Sequence, residues 1–332
     1  MRISVACVCL NERENLKELL RSIEQQDYPH NLIELVLVDS LSNDESYELM
    51  VDFAKSHSDF YSIQVIKNPK SYLSAGINES LKVFTGDCYI RLDAHSSIPA
   101  NFISNTIHVL TNTPYLVVGG RRASVAAGKS AWKYTLSAAY ESFSSSIVAR
   151  RSKFSQAHVV DHLDNLCIRR EVFEKIGYFD ERLKRAEDTE FFYRLKEAGI
   201  EAWFDPSMVI YQKVKPNFLS LMDQTVKNGF WIGRLLTIRP QAVKFYHLMP
   251  VFFFLIFITT CVLACFKEVR PLYFFLLNYS VFALALSIIA ASEVRFKSWH
   301  LLALPALFTL MHLLYASGTV WGVFKSIFTS KV

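Results

Sequence analysis

Acidic, amide and imidazole side chains follow apolar, strand-like segments in the first hundred residues. The residues that end these segments are Asn11, Glu12, Asp39, Asn68, Asp93 and His95. Side chains of these types can accept hydrogen bonds from a polar ligand, and a carboxylate can also take up a proton. Open α/β sheets bind ligands at the edge where the carboxyl ends of their strands meet. We therefore expect these side chains to share one ligand-binding edge.

A second acidic group stands later in the chain. Glu187 and Asp188 begin a segment in which Phe191, Phe192 and Leu195 recur at helical spacing. Acidic side chains are favoured at the positive end of the helix dipole. Helix capping is one interpretation of this pair, and a role in chemistry is the other.

The elements that must position these residues alternate along the chain. Apolar, β-prone runs occupy 3–10, 32–38, 63–66 and 88–92, and helical spacing occurs at 16–23, 47–54 and 75–83. Such alternation is typical of a parallel sheet covered on both faces. The sequence therefore predicts an α/β fold. Beyond residue 100 the pattern is mixed, with a strand at 115–118, a break at Gly119 and Gly120, and helical stretches at 131–146, 172–176 and 188–198.

Three stretches in the last third of the chain contain no Asp, Glu, Lys or Arg: 245–266, 271–292 and 298–324. Each is long enough for the roughly 20 residues that a helix needs to cross a bilayer. We predict three transmembrane helices over 245–332. Aromatic and basic residues interleave over 216–244, which favours an amphipathic interfacial segment between the membrane region and a catalytic domain at 1–215.

Composition and charge exclude a disordered chain and argue against one kind of partner. Of the 332 residues, 51% are hydrophobic and 14% aromatic, which excludes a disordered chain. The net charge is +5, and six basic against two acidic residues lie beyond residue 244, beside the predicted spans. This placement suits lipid headgroups and argues against nucleic acid as a partner. The three predicted spans make this a multi-pass protein of the inner or plasma membrane. The first apolar run is too short for a secretory signal, so we expect the catalytic domain to be cytoplasmic.

In order and spacing, these motifs resemble those of the inverting family 2 glycosyltransferases of GT-A type, and most of all the membrane-anchored succinoglycan-biosynthesis class. The motifs are Asn11-Glu12 after the first strand, Val38-Asp39 leading into Ser42-Asn43-Asp44, Gly86-Asp87 before the fourth strand, Asp93-Ala94-His95 after it, and Ala186-Glu187-Asp188 at a helix start. The resemblance covers residues 1 to about 240. It implies a Rossmann-like, mostly parallel GT-A sheet, followed by the three-helix membrane region.

The resemblance also implies how a nucleotide-diphosphate sugar is held. Asp39 would accept a hydrogen bond from the base, and the donor site would further include Asn11, Glu12, Asn68, Asn78 and Asp93. Turn formation or helix capping is the alternative role for Asp39, Asn11 and Glu12.

Asp93 and His95 stand where the family has its Asp-x-Asp motif, which implies a bound Mn²⁺ or Mg²⁺. Oxygen ligands suit both ions, and a cation stabilises the departing diphosphate. The histidine departs from the general motif and favours Mn²⁺. Contact with phosphate, or a plain loop position, is the alternative for His95.

By the same resemblance, Asp188 is the general base that deprotonates the acceptor hydroxyl, and the single displacement inverts the anomeric carbon. The acceptor side would include Glu187, Asn165, Gln224 and Trp231. The stretch after Gln224 lacks the Gln-x-x-Arg-Trp signature of processive relatives. An ordinary interface helix is the alternative for Gln224 and Trp231.

These points lead to an expected function. The chain should transfer one sugar, from UDP-hexose as the first choice, to a lipid-linked saccharide in exopolysaccharide or other cell-surface polysaccharide synthesis. Direct transfer to a polyisoprenyl phosphate is the nearest enzymatic alternative. An alternative from another class is a non-catalytic membrane scaffold that binds a nucleotide sugar.

Overall fold

The computed structural model describes residues 1–126, 130–144, 155–163, 166–214, 217–294 and 297–329. The chain forms two compact units. The sheet unit comprises Met1–Val125 and Arg150–Lys213, and the helical unit comprises Ala126–Ala149 and Val214–Val332.

The sheet unit begins with alternating strands and helices, as the apolar runs predict. Its strands are β1 Ile3–Cys9, β2 Ile33–Asp39, β3 Ser62–Lys67, β4 Cys88–Asp93, β5 Ser96–Ser97, β6 Val117–Ala126, β7 His158–Val160, β8 Leu166–Arg169 and β9 Ala202–Val214. Its helices are α1 Arg13–Glu24, α2 Ser46–Ser56, α3 Leu73–Val83, α4 Phe102–Asn112, α6 Arg170–Ile176 and α7 Glu187–Glu197. The intervening α5, Ala131–Ser144, belongs to the helical unit.

Within the described residues, nine strands form one sheet in the order β3-β2-β1-β4-β8-β6-β9-β5, and β7 pairs with β9. The first four strands pair with one another in parallel, in the order β3-β2-β1-β4. Antiparallel pairs join β4 to β8, β8 to β6, and β9 to both β5 and β7. The expectation of an α/β fold is confirmed. The sheet, which the resemblance implies to be mostly parallel, is mixed, because the strands beyond β4 pair in antiparallel fashion.

Apolar layers cover both faces of the parallel part, which explains its near-continuous apolar strands. In β1, Val5 and Cys7 belong to the core on the α1 face, whereas Ala6 belongs to the core on the α3 face. Successive side chains of a strand point to opposite faces, so both faces of β1 are buried. The packed layers fix the strand ends, and with them the polar residues that follow.

The structure differs from the sequence expectation beyond residue 100. The expected break at Gly119 and Gly120 is wrong, because β6 runs straight through both residues. A Cβ on Gly120 would overlap the backbone oxygen of Met208 in β9, so glycine permits this close approach. The strand β9 itself is not anticipated by the sequence pattern. Pro206 lies inside β9, and a proline argues against a central strand.

The helical unit contains α8 Phe218–Ile238, α9 Phe245–Cys265, α10 Arg270–Glu293 and α11 Leu304–Thr329. Three segments are long and apolar enough to cross a membrane: Phe245–Cys265, Arg270–Glu293 and Trp299–Phe328. These segments coincide with the three stretches chosen from the sequence, so the expectation of three apolar C-terminal helices is confirmed.

Helix α8 packs along α11 through glycines on both helices. A Cβ on Gly229 or Gly233 would overlap the backbone of α11 at Tyr315 or Thr319. Conversely, a Cβ on Gly318 of α11 would overlap the Val226 carbonyl of α8, and Gly322 lies equally close to α8. The glycines are spaced four residues apart on each helix, the spacing by which apolar helices approach backbone to backbone. We call these four glycines the glycine seam.

Helix α5 also packs within the helical unit. Leu136 and Ala139 of α5 belong to the same buried cluster as Leu221 of α8 and Phe308 of α11. The chain thus contributes a helix to this unit from between β6 and β7, long before the membrane-type segments begin.

Candidate active site

Two of the expected site carboxylates lie at the ends of the two strands that flank β1. Asp39 ends β2 opposite Cys9 of β1, and Asp93 ends β4 opposite Val8. Because β1 lies between β2 and β4 and adjacent strands are about 4.8 Å apart, the two backbones lie roughly 10 Å apart at this edge. The structure therefore brings Asp39 and Asp93 to the carboxyl end of the parallel sheet.

Asp39 is buried, and its carboxylate accepts hydrogen bonds from the backbone N–H groups of Leu41 at 3.0 Å and Ser42 at 3.2 Å. These are the bonds of the turn-forming alternative, which the structure therefore realises. Asn11 supports the same loop, because its side-chain oxygen accepts from the backbone of Asn43 at 2.8 Å. A contact between Asp39 and a nucleotide base stays a prediction.

The two remaining amides of the expected donor set are buried and bonded within the protein. Asn68 donates to Ser40 Oγ at 3.0 Å and to the Tyr72 carbonyl at 2.9 Å. Asn78 donates to the Phe179 carbonyl at 2.9 Å and accepts from the Phe179 N–H at 3.0 Å. In the structure both amides hold loops in place, and direct contact of either with a donor stays a prediction.

Asp93 and His95 meet a residue that the sequence does not single out, Gln212 on β9. The Gln212 amide nitrogen donates to Asp93 Oδ2 at 3.1 Å and lies 2.7 Å from His95 Nε2. Because this nitrogen is a donor, His95 Nε2 acts as the acceptor and the ring proton lies on Nδ1. His95 Nδ1 in turn faces Glu12 Oε1 at 4.0 Å. Coordination of a cation by His95 Nε2 therefore requires release of its contact with Gln212.

The side chains of Asp93 and His95 suit a cation that takes most of its ligands from the substrate and from water. No group of three or more His, Cys, Asp or Glu side chains among the residues that the structure describes is arranged to hold a metal ion. Mg²⁺ and Mn²⁺ commonly bind one or two carboxylates and complete their shell with substrate phosphates and water. The partly exposed carboxylate of Asp93 fits this mode.

The guanidinium of Arg91 connects Asp93 to the acidic start of α7. Its Nε lies 4.0 Å from Asp93 Oδ1, and its Nη1 lies 3.9 Å from Glu187 Oε1. Arg91 and Asp93 are two residues apart on β4 and so point to the same face, where α7 packs. The Arg91 side chain is only 17% exposed, so a positive charge is buried between two carboxylates.

Helix α7 begins at Glu187, directly after Ala186, whose backbone is left-handed with φ of 62°. Non-glycine residues in this conformation are uncommon. Asp188 Oδ1 accepts from the Thr189 N–H at 2.7 Å, and Oδ2 lies 3.5 Å from His162 Nε2. The base expected from the resemblance thus has an imidazole neighbour.

The two acids at the start of α7 differ in proton affinity. Burial and the neighbouring Asp188 raise the pKa of Glu187 to about 7, against the opposing charge of Arg91. Burial also raises the pKa of Asp188, but the hydrogen bond with His162, the charge of that imidazole and the charge of Arg91 outweigh it, so its pKa lies well below the usual value. At neutral pH Asp188 is therefore ionised and able to accept a proton.

The residues expected on the acceptor side belong to different units or lie outside the described residues. Glu187 lies beside Arg91, and Asn165 lies outside the described residues. Gln224 and Trp231 belong to α8 of the helical unit, where the Gln224 amide lies 3.4 Å from the Tyr140 hydroxyl and Trp231 contacts Phe230 edge to face. An acceptor role for these residues stays a prediction.

Sequence reasoning missed Arg91, His162 and Gln212. The sequence could have pointed to Arg91, because it is the one charged residue within the apolar run 88–92. His162 and Gln212 lie in segments with no clear periodicity, and only the folded sheet brings them to Asp188 and Asp93.

The chain is similar to known proteins in sequence and in fold. Residues 4–177, more than half of the chain, match the domain described as glycosyl transferase family 2. A Methanococcus voltae protein named dolichyl N-acetyl-alpha-D-glucosaminyl phosphate 3-beta-D-2,3-diacetamido-2,3-dideoxy-beta-D-glucuronosyltransferase is 24% identical over 336 residues, which cover 99% of each chain. Succinoglycan biosynthesis protein ExoA of Rhizobium meliloti is 27% identical over 213 residues, which cover 62% of each chain.

Among solved structures, the chain is similar to the mannosyltransferase PcManGT of Pyrobaculum calidifontis, solved in complex with GDP-Man and Mn²⁺. The TM-score is 0.63 with 18% sequence identity, and the match covers 98% of this chain and 87% of that one. This likeness confirms the GT-A fold expected from the sequence. Together with the domain match over residues 4–177, it leads to one conclusion: the chain belongs to glycosyl transferase family 2 and is a glycosyltransferase of GT-A fold.

Proposed function

We propose that the protein is a membrane-anchored, inverting glycosyltransferase that moves one sugar from a nucleoside diphosphate to a lipid-linked saccharide. The observation that carries this proposal is the position of Arg91, 4.0 Å from Asp93 and 3.9 Å from Glu187. This single guanidinium links the acid expected on the donor side to the start of α7, where the expected base Asp188 lies. The acid expected on the donor side and the expected base thus lie in one region of the sheet unit.

In the proposed reaction, Asp188 takes the proton of an acceptor hydroxyl. The hydroxyl oxygen forms a bond to the anomeric carbon while the bond from that carbon to the diphosphate oxygen breaks. The bonding electron pair leaves with the nucleoside diphosphate, and the single displacement inverts the anomeric centre. An α-linked donor would therefore give a β-linked product.

The charge that develops on the leaving diphosphate needs stabilisation. Arg91 supplies a buried guanidinium whose two ion pairs are both long, so its N–H groups can turn to an anionic ligand. Asp93 is the residue that would hold a divalent cation, with the diphosphate supplying further oxygen ligands. When bound, the cation would neutralise part of the leaving-group charge.

Two observations support a lipid-linked acceptor. The M. voltae relative, whose name describes transfer to a dolichyl-linked amino sugar phosphate, matches this chain along nearly its whole length. The three apolar helices are long enough to anchor the protein in a membrane. The name of the ExoA relative supports exopolysaccharide assembly as the setting. A UDP-hexose remains the first donor to test.

For orientation, we propose a cytoplasmic catalytic unit. Arg295 and Lys297, which stand between the second and third apolar segments in the sequence, would then lie on the same side as Arg234, Arg239 and Lys244. Basic residues of short loops favour the cytoplasmic side.

The test is sugar transfer by purified full-length protein in detergent, with Mn²⁺, a panel of UDP-sugars and GDP-mannose, and lipid-linked saccharides of defined structure. Replacement Asp188→Asn should lower kcat by about 10²- to 10⁴-fold, the usual contribution of a general base. The exposed Asp52→Asn is the matched control and should retain full activity. Equal turnover by Asp188→Asn and wild type would exclude Asp188 as the base.

The same assay separates the alternatives. A single sugar attached through a phosphodiester to a polyisoprenyl phosphate would identify that acceptor instead. Binding of donor without turnover, across every acceptor offered, would favour the scaffold. Chelation of the cation with EDTA should abolish turnover, and restoration by Mn²⁺ and by Mg²⁺ in turn would identify the preferred ion.

A further inference from the structure

His162 follows β7, and its Nε2 lies 3.5 Å from Asp188 Oδ2. Its side chain is 19% exposed, so the imidazole is largely shielded from water. The ring also packs on Phe192 of α7, with ring centroids 4.5 Å apart. Phe192 lies one helical turn beyond Asp188, so the imidazole rests against the first turn of α7 and is held beside the carboxylate.

The carboxylate of Asp188 is held on two sides. Thr189 donates its backbone N–H to Oδ1 at 2.7 Å, while His162 faces Oδ2. A carboxylate held by donors at both oxygens has a fixed orientation, and each oxygen keeps a lone pair for a further partner. A base with a fixed lone pair accepts a proton efficiently from a hydroxyl that is bound in one position.

We propose that His162 is the positioning residue of the general base: its Nε2–H donates to Asp188 Oδ2 and directs the carboxylate at the acceptor hydroxyl. This inference rests on the proposed function, in which Asp188 takes the acceptor proton. It adds a residue that no sequence motif of the chain marks and that acts through Asp188, without touching the reacting atoms.

Within the described part of the chain, charged groups face or flank Asp188 from β4, from α7 and from the segment after β7. Arg91 faces it from β4, Glu187 precedes it on α7, and His162 faces it from the segment after β7. Against the effect of burial, the hydrogen bond and charge of His162 lower the pKa of Asp188 more than Arg91 does. Burial raises the pKa of Asp188, and the imidazole opposes that effect. Loss of the imidazole should therefore raise the pKa of Asp188.

This sign gives a specific pH effect. The base must be ionised to work, so activity falls on the acid side as Asp188 is protonated. In His162→Ala the acid limb of the kcat/KM profile should move to higher pH. A residue that only stabilised the fold would lower the amount of active enzyme without moving that limb.

The experiment compares His162→Ala and His162→Gln in the lipid-saccharide assay, with the exposed His108→Ala as control. His162→Ala should lower kcat by about 10- to 100-fold, the equivalent of one hydrogen bond to a charged group, with the donor KM changed less than about twofold. His162→Gln should recover most of the rate at neutral pH, because its amide N–H can occupy the position of Nε2–H. Binding of UDP by each variant confirms that it is folded.

The outcomes are distinguishable. Wild-type rates and pH profiles in both His162 variants would overturn this inference alone and leave the proposed function intact. Equal loss in His162→Ala and His162→Gln would also overturn it, because a hydrogen-bond donor at this position would then not restore the rate. Wild-type protein that transfers no sugar from any donor to any acceptor would overturn the proposed function and this inference with it.

Discussion

Gln212 donates a hydrogen bond of 3.1 Å to the carboxylate of Asp93, from a strand 119 residues further along the chain. The bond links the end of β4 to β9, so the orientation of Asp93 depends on a strand outside the parallel part of the sheet. A carboxylate that is oriented before its ligands arrive binds them with a smaller loss of side-chain freedom.

We predict that Gln212→Leu weakens Mn²⁺-dependent binding of UDP by about 5- to 10-fold, because Asp93 loses the donor that orients it. Calorimetric titration of full-length protein with UDP, with and without Mn²⁺, measures the effect. The exposed Gln25→Leu is the control. Affinity equal to wild type in Gln212→Leu would show that this contact is irrelevant to the donor site.

Arg91 gives a second prediction. Replacement by Met should lower kcat by about 10²-fold, the usual effect of removing one donor to a developing negative charge. Lys keeps the charge but loses the planar fork and should recover only part of the rate. Exposed Arg21→Met is the control, and single-turnover sugar transfer is the measurement. A full rate in Arg91→Met would exclude a role in leaving-group stabilisation.

The raised pKa of Glu187 predicts a pH-dependent stability. Its pKa in the folded protein is about 7, above the ordinary value of about 4.3, so the folded state binds the proton more tightly than the unfolded state does. Stability from this group is therefore present below about pH 4 and is lost as the pH rises to about 7. Glu187→Gln should stabilise the protein by about 2 kcal/mol at pH 8 and have little effect at pH 4.

Thermal unfolding of full-length protein in detergent at both pH values checks this prediction. The exposed Glu174→Gln is the matched control and should show no pH-dependent difference from wild type. A Tm of Glu187→Gln equal to that of wild type at pH 8 would contradict the raised pKa.

The glycine seam predicts a large effect from small side chains. Gly229→Ala or Gly318→Ala should lower the unfolding free energy by about 1–3 kcal/mol, because the new methyl group meets the backbone of the facing helix. Ser220→Ala, at an exposed position of α8, is the control. Thermal unfolding in detergent measures the difference, and equal Tm values for the three variants would argue against close packing of α8 and α11.

Much of the fold follows from local sequence pattern. The parallel strands are apolar on both faces, so runs such as 32–38 are visible without any knowledge of their neighbours. The three membrane-type helices can also be predicted from local sequence, because each is a long stretch without Asp, Glu, Lys or Arg. The strand β9 is hidden because Asp205 and Pro206 interrupt its apolar character, and its place is decided by pairing with β5 and β7.

The residues of the candidate site likewise divide into those that the sequence can predict and those that it cannot. Residues that directly follow a strand, such as Asp39 and Asp93, can be chosen from sequence because the strand ends are themselves visible. Sequence could not show that the side-chain amide of Asn78 forms its hydrogen bonds with the backbone of Phe179, about a hundred residues away. Nor could it show His162 beside Asp188, since that contact depends on how the segment after β7 meets α7.

The place of α5 has a practical consequence for protein production. A fragment that ends at residue 213 would still contain α5 but would lack α8 and α11, against which Leu136 and Ala139 pack. The freed apolar surface would favour aggregation. A water-soluble catalytic fragment therefore calls for two edits to the gene, removal of the C-terminal helices and replacement of residues 126–149 by a short polar linker.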